Sequence, residues 1–353
     1  PAYIDSILSV PNVSWLNQSK WMNQVCIKIT DAAALTKINS FPFVKVSSPI
    51  AVRMAVPAWA PTTDKLEDID GEERAGGIES PSGVQANYYN YGNNLPQVHI
   101  HQGEYLHNLG FHGENMTIAI LDAGFYGYLT NPMFDSVRLN SQILGTYDYV
   151  NLKTSVNEEN YHGMSCFSTI AANRPGIMTG TSPKAKFWLL KTEDVTSEYP
   201  VEEQNWAAAA EFADSAGADL ISTSLGYDIF LDHSFDHLYV DRNGHTALST
   251  RAANLAVSKG ILVTASAGND GTSANENKYI LCPADGDSVL TIGATDVNGT
   301  IASFSCWGPN SSGRVKPDVV SVGYNSIVSN TVGNPVALSG TSFSNPNLAG
   351  LVT

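Results

Sequence analysis

The stretch NWAAAAEFADSAGADLISTSLG, residues 205–226, changes texture in its middle. Up to Gly217 it reads as an alanine-rich helix. From Ala218 it becomes a short apolar run with a β-branched centre that stops at Gly226. The same run recurs as MTIAILD (116–122), KFWLLKT (186–192), GILVTASAG (260–268) and SVLTIGA (288–294), and TALSTRAANLAVSKG (246–260) supplies another helical stretch. Continuous apolar strands alternating with amphipathic helices describe an α/β fold, a doubly wound and mostly parallel sheet with helices on both faces. Crossovers in such a sheet are right-handed, and ligands bind beyond the carboxyl ends of the strands.

Working outward, residues 96–353 form this domain and residues 1–57 read as a smaller α+β piece. WMNQVCIKI (21–29) alternates as a strand, DAAALTKINSF (31–41) starts a helix on an Asp cap, and PFVKVSS (42–48) reads as a further strand. Between them, residues 58–95 form a linker whose centre, APTTDKLEDIDGEERAGGIESPSG (60–83), is charged and rich in Gly and Pro. The 353 residues fit one large domain and one small one.

Composition narrows the partners. Thirty-four acidic against 19 basic residues give a net charge of −15, the wrong sign for gripping nucleic acid or anionic lipid. No window reaches the roughly 18 apolar residues of a membrane span, and PAYIDSILSV lacks the basic flank and cleavage pattern of an export signal. The four cysteines, Cys26, Cys166, Cys282 and Cys306, include no C-x-x-C and leave the redox compartment open.

Four polar residues stand where an α/β sheet delivers its site. Asp122 ends an apolar strand, His162 opens a helix in NYHGMSCFSTIAAN, Asn269 follows a strand in SAGND, and Ser342 precedes the last helix in SGTSFSNP. Singly, each has a plain structural reading as a turn former, a surface imidazole or a cap. Jointly they supply a nucleophile, a base, an orienting carboxylate and an amide donor. A serine hydroxyl needs a neutral imidazole to take its proton, the imidazole needs a carboxylate on its other nitrogen, and a developing oxyanion needs N–H donors.

IAILDAGF, HGMSCFSTI, SAGND and GTSFSNPNLAG, in the order Asp122, His162, Asn269, Ser342, resemble the motifs of the subtilases, the subtilisin-like serine peptidases. The resemblance runs from about Tyr91 to the last residue. It implies a secreted, periplasmic or cell-surface endopeptidase in which Asp122 orients, His162 is the base, Ser342 attacks, and Asn269 holds the oxyanion. It further implies that Ser224, Leu225 and Gly226 pair with substrate, that Ser266, Ala267 and Gly268 form the opposite wall of the S1 pocket, and that Leu281 is its floor. An apolar floor favours an apolar P1 side chain. Residues 1–57 resemble the later part of a subtilase propeptide, chiefly in INSFPFVKV (38–46), so the partners implied are protein or peptide substrates and the chain's own propeptide.

Phe167 and Asn131-Pro132 depart from the family pattern, and the nucleophile helix is expected to run on past Thr353, which would make this chain a fragment. A catalytically silent binding or scaffold protein on the same fold is the competing reading. An esterase-type hydrolase fits worse, since those present serine in G-x-S-x-G ahead of Asp and His. No cofactor is needed for the chemistry. Structural calcium is allowed by the resemblance without assignable ligands, and EDIDGEE (67–73) lacks the rest of a calcium loop. His99, His101, His107 and His112 match no zinc spacing, so no metal site is assigned. Cys282 and Cys306 are expected near the same side of the cleft, leaving a bridge between them open, while Cys26 and Cys166 are expected to be free.

Overall fold

The computed structural model describes residues 2–50, 69–70, 87–158 and 160–353. Seven parallel strands form the central sheet. Their order across it is Val319–Val322, Leu290–Thr295, Leu262–Ser266, Leu220–Thr223, Thr117–Asp122, Lys186–Lys191, Ile143–Asp148. The strands Ile143–Asp148 and Val319–Val322, at the two edges, were not evident in the sequence, because the first is interrupted by glycine and polar residues and the second is short.

Strand Thr117–Asp122 shows why its apolar run is unbroken. Ile118 and Ile120 enter one core with Phe134, Met164, Phe167 and Leu189, while Ala119 and Leu121 enter the other with Trp206, Ala209 and Ala253. Successive side chains point to opposite faces, and both faces are covered. Helices Val201–Ser215 and Leu248–Ser258 cover one face, and helix His162–Ala171 packs into the other.

After Thr117–Asp122 the chain goes to the edge strand Ile143–Asp148 and returns to Lys186–Lys191. It then crosses to Leu220–Thr223 and proceeds outward on the other side. The neighbouring strands Thr117–Asp122 and Leu220–Thr223 therefore send their chains in opposite directions, which opens a crevice at their carboxyl ends.

The N-terminal piece packs helices Ala2–Leu8 and Ala32–Asn39 on the hairpin Val13–Ser19/Gln24–Ile29, around Ile7, Val10, Ala34 and Ile38. Asp31 caps the second helix by accepting from Ala33 N at 2.9 Å. The hairpin rests on helix Val201–Ser215. Glu211 accepts from Ser19 Oγ and from Lys20 N and Trp21 N at 2.9–3.0 Å, and Asn17 exchanges hydrogen bonds with Asn205 and Gln204. Trp21 and Met22 pack against the core beneath.

One expectation is corrected and one open point is answered. Residues 42–48 form no strand; Phe41 and Phe43 stack at 5.1 Å, Val46 stands 80% exposed, and among the described residues no strand pairs with this segment. Cys282 and Cys306 form no bridge, and all four cysteines are free and buried. Cys306 Sγ instead accepts from Asp270 N at 3.2 Å. The expected linker lies outside the described residues except for 69–70 and 87–95, as does most of EDIDGEE.

Candidate active site

Asp122 is fully buried at the end of its strand. Its Oδ1 accepts from His162 Nδ1 at 2.7 Å and from Ala123 N at 2.7 Å. His162 opens a helix buried along all ten residues, and Asn160 Oδ1 caps that opening by accepting from His162 N at 2.7 Å. The approach depends on Gly163, where a Cβ would stand 2.6 Å from Gly124 O and 2.8 Å from Asp122 Cβ. Any side chain there would push the imidazole off the carboxylate.

Burial by itself would lower the pKa of His162, and it is the largest single influence. The Asp122 carboxylate at hydrogen-bonding distance, together with the neighbouring Cys166, outweighs burial and holds the imidazole well above its ordinary value. Cys166, one turn on, places Sγ 3.8 Å from His162 Nδ1, but burial pushes its thiol up to about 11, so it stays protonated near neutral pH.

Ser342 lies in the first turn of helix Thr341–Leu351 and is 8% exposed. Pro346 stands four residues later and has no N–H, which frees the Ser342 carbonyl from the helical ladder. Ser224 Oγ donates to that carbonyl at 2.8 Å and Cys166 Sγ at 3.3 Å. Cys166 thus touches both the backbone of Ser342 and the ring of His162. The Ser342 hydroxyl itself donates to Ser224 O at 3.4 Å, and no hydrogen bond joins it to the imidazole.

Asn269 follows strand Leu262–Ser266. Its Oδ1 accepts from Thr341 N at 2.8 Å and Thr341 Oγ1 at 2.9 Å, which fixes the carboxamide and leaves Nδ2 as the free end beside Gly340. Thr341 Oγ1 also accepts from Gly268 N at 3.1 Å.

Ser224, Leu225 and Gly226 continue from strand Leu220–Thr223, and Ser266, Ala267 and Gly268 end the neighbouring one. Leu281 lies between them. A Cβ on Gly226 would meet Leu281 Cδ1 at 2.5 Å, and one on Gly268, whose φ is +109°, would meet Leu281 Cγ at 2.8 Å. Ser224 and Gly268 thus meet the first turn of the Ser342 helix, and Gly226 and Gly268 meet Leu281.

The sequence reading did not single out Thr341, Gly163, Cys166 or Pro346 as site builders, although the i, i+4 spacing of His162 and Cys166 was visible. Asp122, His162 and Cys166 are also the one trio of potential metal ligands close together among the described residues. Phe167 points away from the imidazole, stacking on Phe134 at 4.6 Å and meeting Phe187 edge-on at 4.9 Å. Asn131 is buried and donates to Ser329 Oγ and Asn330 O, a role in supporting the loop there.

The subtilase family profile matches residues 113–353, and the profile of the Bacteroidota peptidase S8 propeptide domain matches residues 1–65. The chain belongs to the subtilase family. It is 31% identical over 268 residues to serine protease AprX of Bacillus subtilis (strain 168), covering 68% of this chain and 56% of AprX. It is also 31% identical over 243 residues to subtilisin DY of Bacillus licheniformis, covering 68% of this chain and 76% of that protein. The chain thus spans little more than half the length of AprX. Among solved structures, the prenylagaramide maturation protease PagA superposes with a TM-score of 0.53 at 21% identity, over 70% of this chain and 77% of PagA. That likeness shows the shared fold.

Proposed function

We propose that this chain is a serine endopeptidase with its propeptide still attached. The observation that carries the reading is the buried 2.7 Å bond from His162 Nδ1 to Asp122, with Ser342 and Asn269 brought to the same crevice. In this reading His162 Nε2 takes the proton of Ser342 Oγ as that oxygen attacks the scissile carbonyl. Asp122 fixes the tautomer and stabilises the imidazolium. Asn269 Nδ2 and the Ser342 N–H receive the oxyanion, and the imidazolium then protonates the leaving amine. Every group required is a side chain or backbone amide of this chain, so the chemistry needs no cofactor; structural calcium would be a separate matter of stability.

The hydroxyl's present bond to Ser224 O is a resting contact. Catalytic hydrogen bonds commonly close only around substrate.

Substrates are proteins or peptides, and Leu281 favours an apolar P1 residue, since it offers no partner for a buried cation. The propeptide match and the subtilisin relatives support secretion or surface display. No described helix is long and apolar enough to cross a membrane. Fluorophosphonate labelling tests the reading: labelling of the wild type and none of Ser342→Ala is expected, whereas an unlabelled, inert wild type would favour a silent scaffold.

A further inference from the structure

Asn269 hangs from a stretch of chain that a second segment, residues 304–307, grips on both sides. Before it, Cys306 N donates to Gly268 O at 2.9 Å. After it, Asp270 N donates to Cys306 Sγ at 3.2 Å and Gly271 N donates to Phe304 O at 2.7 Å. Trp307 Nε1 donates to Gly271 O at 3.3 Å. The two segments lie close: a Cβ on Gly271 would stand 2.2 Å from Ser305 O, and one on Gly268 would stand 3.0 Å from Cys306 Sγ.

The bonds at Gly268 O and Gly271 N run from backbone to backbone and survive any substitution that keeps the path of the chain. The bond from Asp270 N does not, since its acceptor is a side chain. Cys306 is 1% exposed and packs with Ala267 and Ile280. Burial pushes its thiol up to about 12, so the sulfur keeps its hydrogen, directs it to Asn277 O at 3.6 Å, and turns a lone pair to Asp270 N.

Thr341 holds the tip of the Asn269 side chain through Oδ1. A carboxamide can still be displaced at its root, where it joins the backbone. The Asp270 amide shares a peptide plane with the Asn269 carbonyl, so an acceptor on that amide holds the root.

We propose that Cys306 is a positioning residue for the oxyanion donor: its sulfur fixes the peptide plane between Asn269 and Asp270 and so keeps Asn269 Nδ2 on the developing charge. This rests on the serine-peptidase reading, in which Asn269 is that donor. A donor held in place beforehand stabilises the transition state without reorganising, and a loosened one forfeits part of that gain. The loss falls on kcat, because ground-state substrate carries no such charge.

The test compares wild type, Cys306→Ala, Cys306→Val and Cys306→Ser by kcat and KM on a peptide amide, by thermal melts, and by hydrogen exchange at the Asp270 amide. Alanine and valine remove the acceptor, valine keeping the apolar bulk should the smaller residue fail to fold; serine retains an acceptor. Expected are a kcat about tenfold lower at unchanged KM in Cys306→Ala and Cys306→Val, faster exchange at Asp270 in both, and recovery to within about threefold of wild type in Cys306→Ser. In an Asn269→Ala background, Cys306→Ala should cost less than about twofold more, because it acts through a side chain already removed. A loss confined to KM, a full tenfold loss in the Asn269→Ala background, or wild-type kcat in Cys306→Ala overturns the proposal and leaves the peptidase reading intact. A wild type that turns over no peptide and takes no fluorophosphonate overturns both.

Discussion

Thr341 holds Asn269 by two hydrogen bonds, from its backbone N–H and its hydroxyl, both to Asn269 Oδ1. The residue before Ser342 therefore aims the side chain that the proposed reading assigns to the oxyanion. Asn269→Ala is expected to lower kcat about 10²–10³-fold with little change in KM, because the donor acts on charge that develops only in the transition state. Thr341→Val keeps the backbone bond and loses the hydroxyl, and about a tenfold loss in kcat is expected, the scale of one hydrogen bond. Steady-state kinetics on a peptide amide separates kcat from KM; equal falls in binding and turnover would remove the assignment.

Ser342→Ala and His162→Ala should each lower peptide hydrolysis by several orders of magnitude, and the double variant should be hardly worse than either alone, since the groups act as a unit. Thermal melts of the variants alongside the wild type show whether folding is retained. Full turnover by Ser342→Ala would end the serine-peptidase reading.

The carboxylate beside His162 sets the pH profile. A base held above its ordinary pKa must lose its proton before it can act, so the acid limb of kcat/KM should lie above about pH 6.5. Asp122→Asn removes the charge that raises the pKa, so the acid limb should move to lower pH while the plateau falls by about 10⁴. The same shift makes a stability statement. With the folded-state pKa raised, the stabilisation from protonated His162 is complete below its unfolded pKa and is lost as pH rises through the folded value. Rate profiles of both forms decide the matter, and an unmoved limb in Asp122→Asn would count against the pairing.

Leu281 occupies the space between Gly226 and Gly268, so if it floors the substrate pocket as proposed it would limit depth as well as polarity. Leu281→Gly should raise kcat/KM for Phe at P1 relative to Leu by about tenfold or more, the scale of a few methylenes of pocket. Wild-type cleavage chiefly after Lys or Arg in a peptide library would show that the pocket lies elsewhere.

How much of this could be read from the sequence follows from the physics of each feature. Strands buried on both faces announce themselves as unbroken apolar runs, so Thr117–Asp122 and Leu262–Ser266, and with them Asp122 and Asn269, were visible. Ile143–Asp148 lies at an edge, half exposed, and its mixed residues hide it. Gly163 and Pro346 act by what they lack, a Cβ and an N–H, and such an absence gains meaning only when the neighbour is known. Cys282 and Cys306 illustrate the converse: proximity to one region of a fold does not settle which atoms meet, and Cys306 turned its sulfur to the Asp270 amide. Residues 42–48 have the composition of a strand, but pairing is a property of two segments and among the described residues this one has no second.

The seat of the N-terminal hairpin on Glu211 has a kinetic corollary. While residues 1–50 and the catalytic domain share one chain, the hairpin meets Glu211, Gln204 and Asn205 at an effective concentration set by the tether, so occupancy is insensitive to protein concentration. If the tether is cut and the docked hairpin blocks activity, as the proposed reading would have it, the same contacts become a bimolecular equilibrium and inhibition would weaken as the enzyme is diluted. A freshly cut preparation assayed across a hundredfold range of concentration should gain specific activity as it is diluted, and Glu211→Gln, which gives up the charge-assisted part of three hydrogen bonds, should reach full activity at the higher concentration.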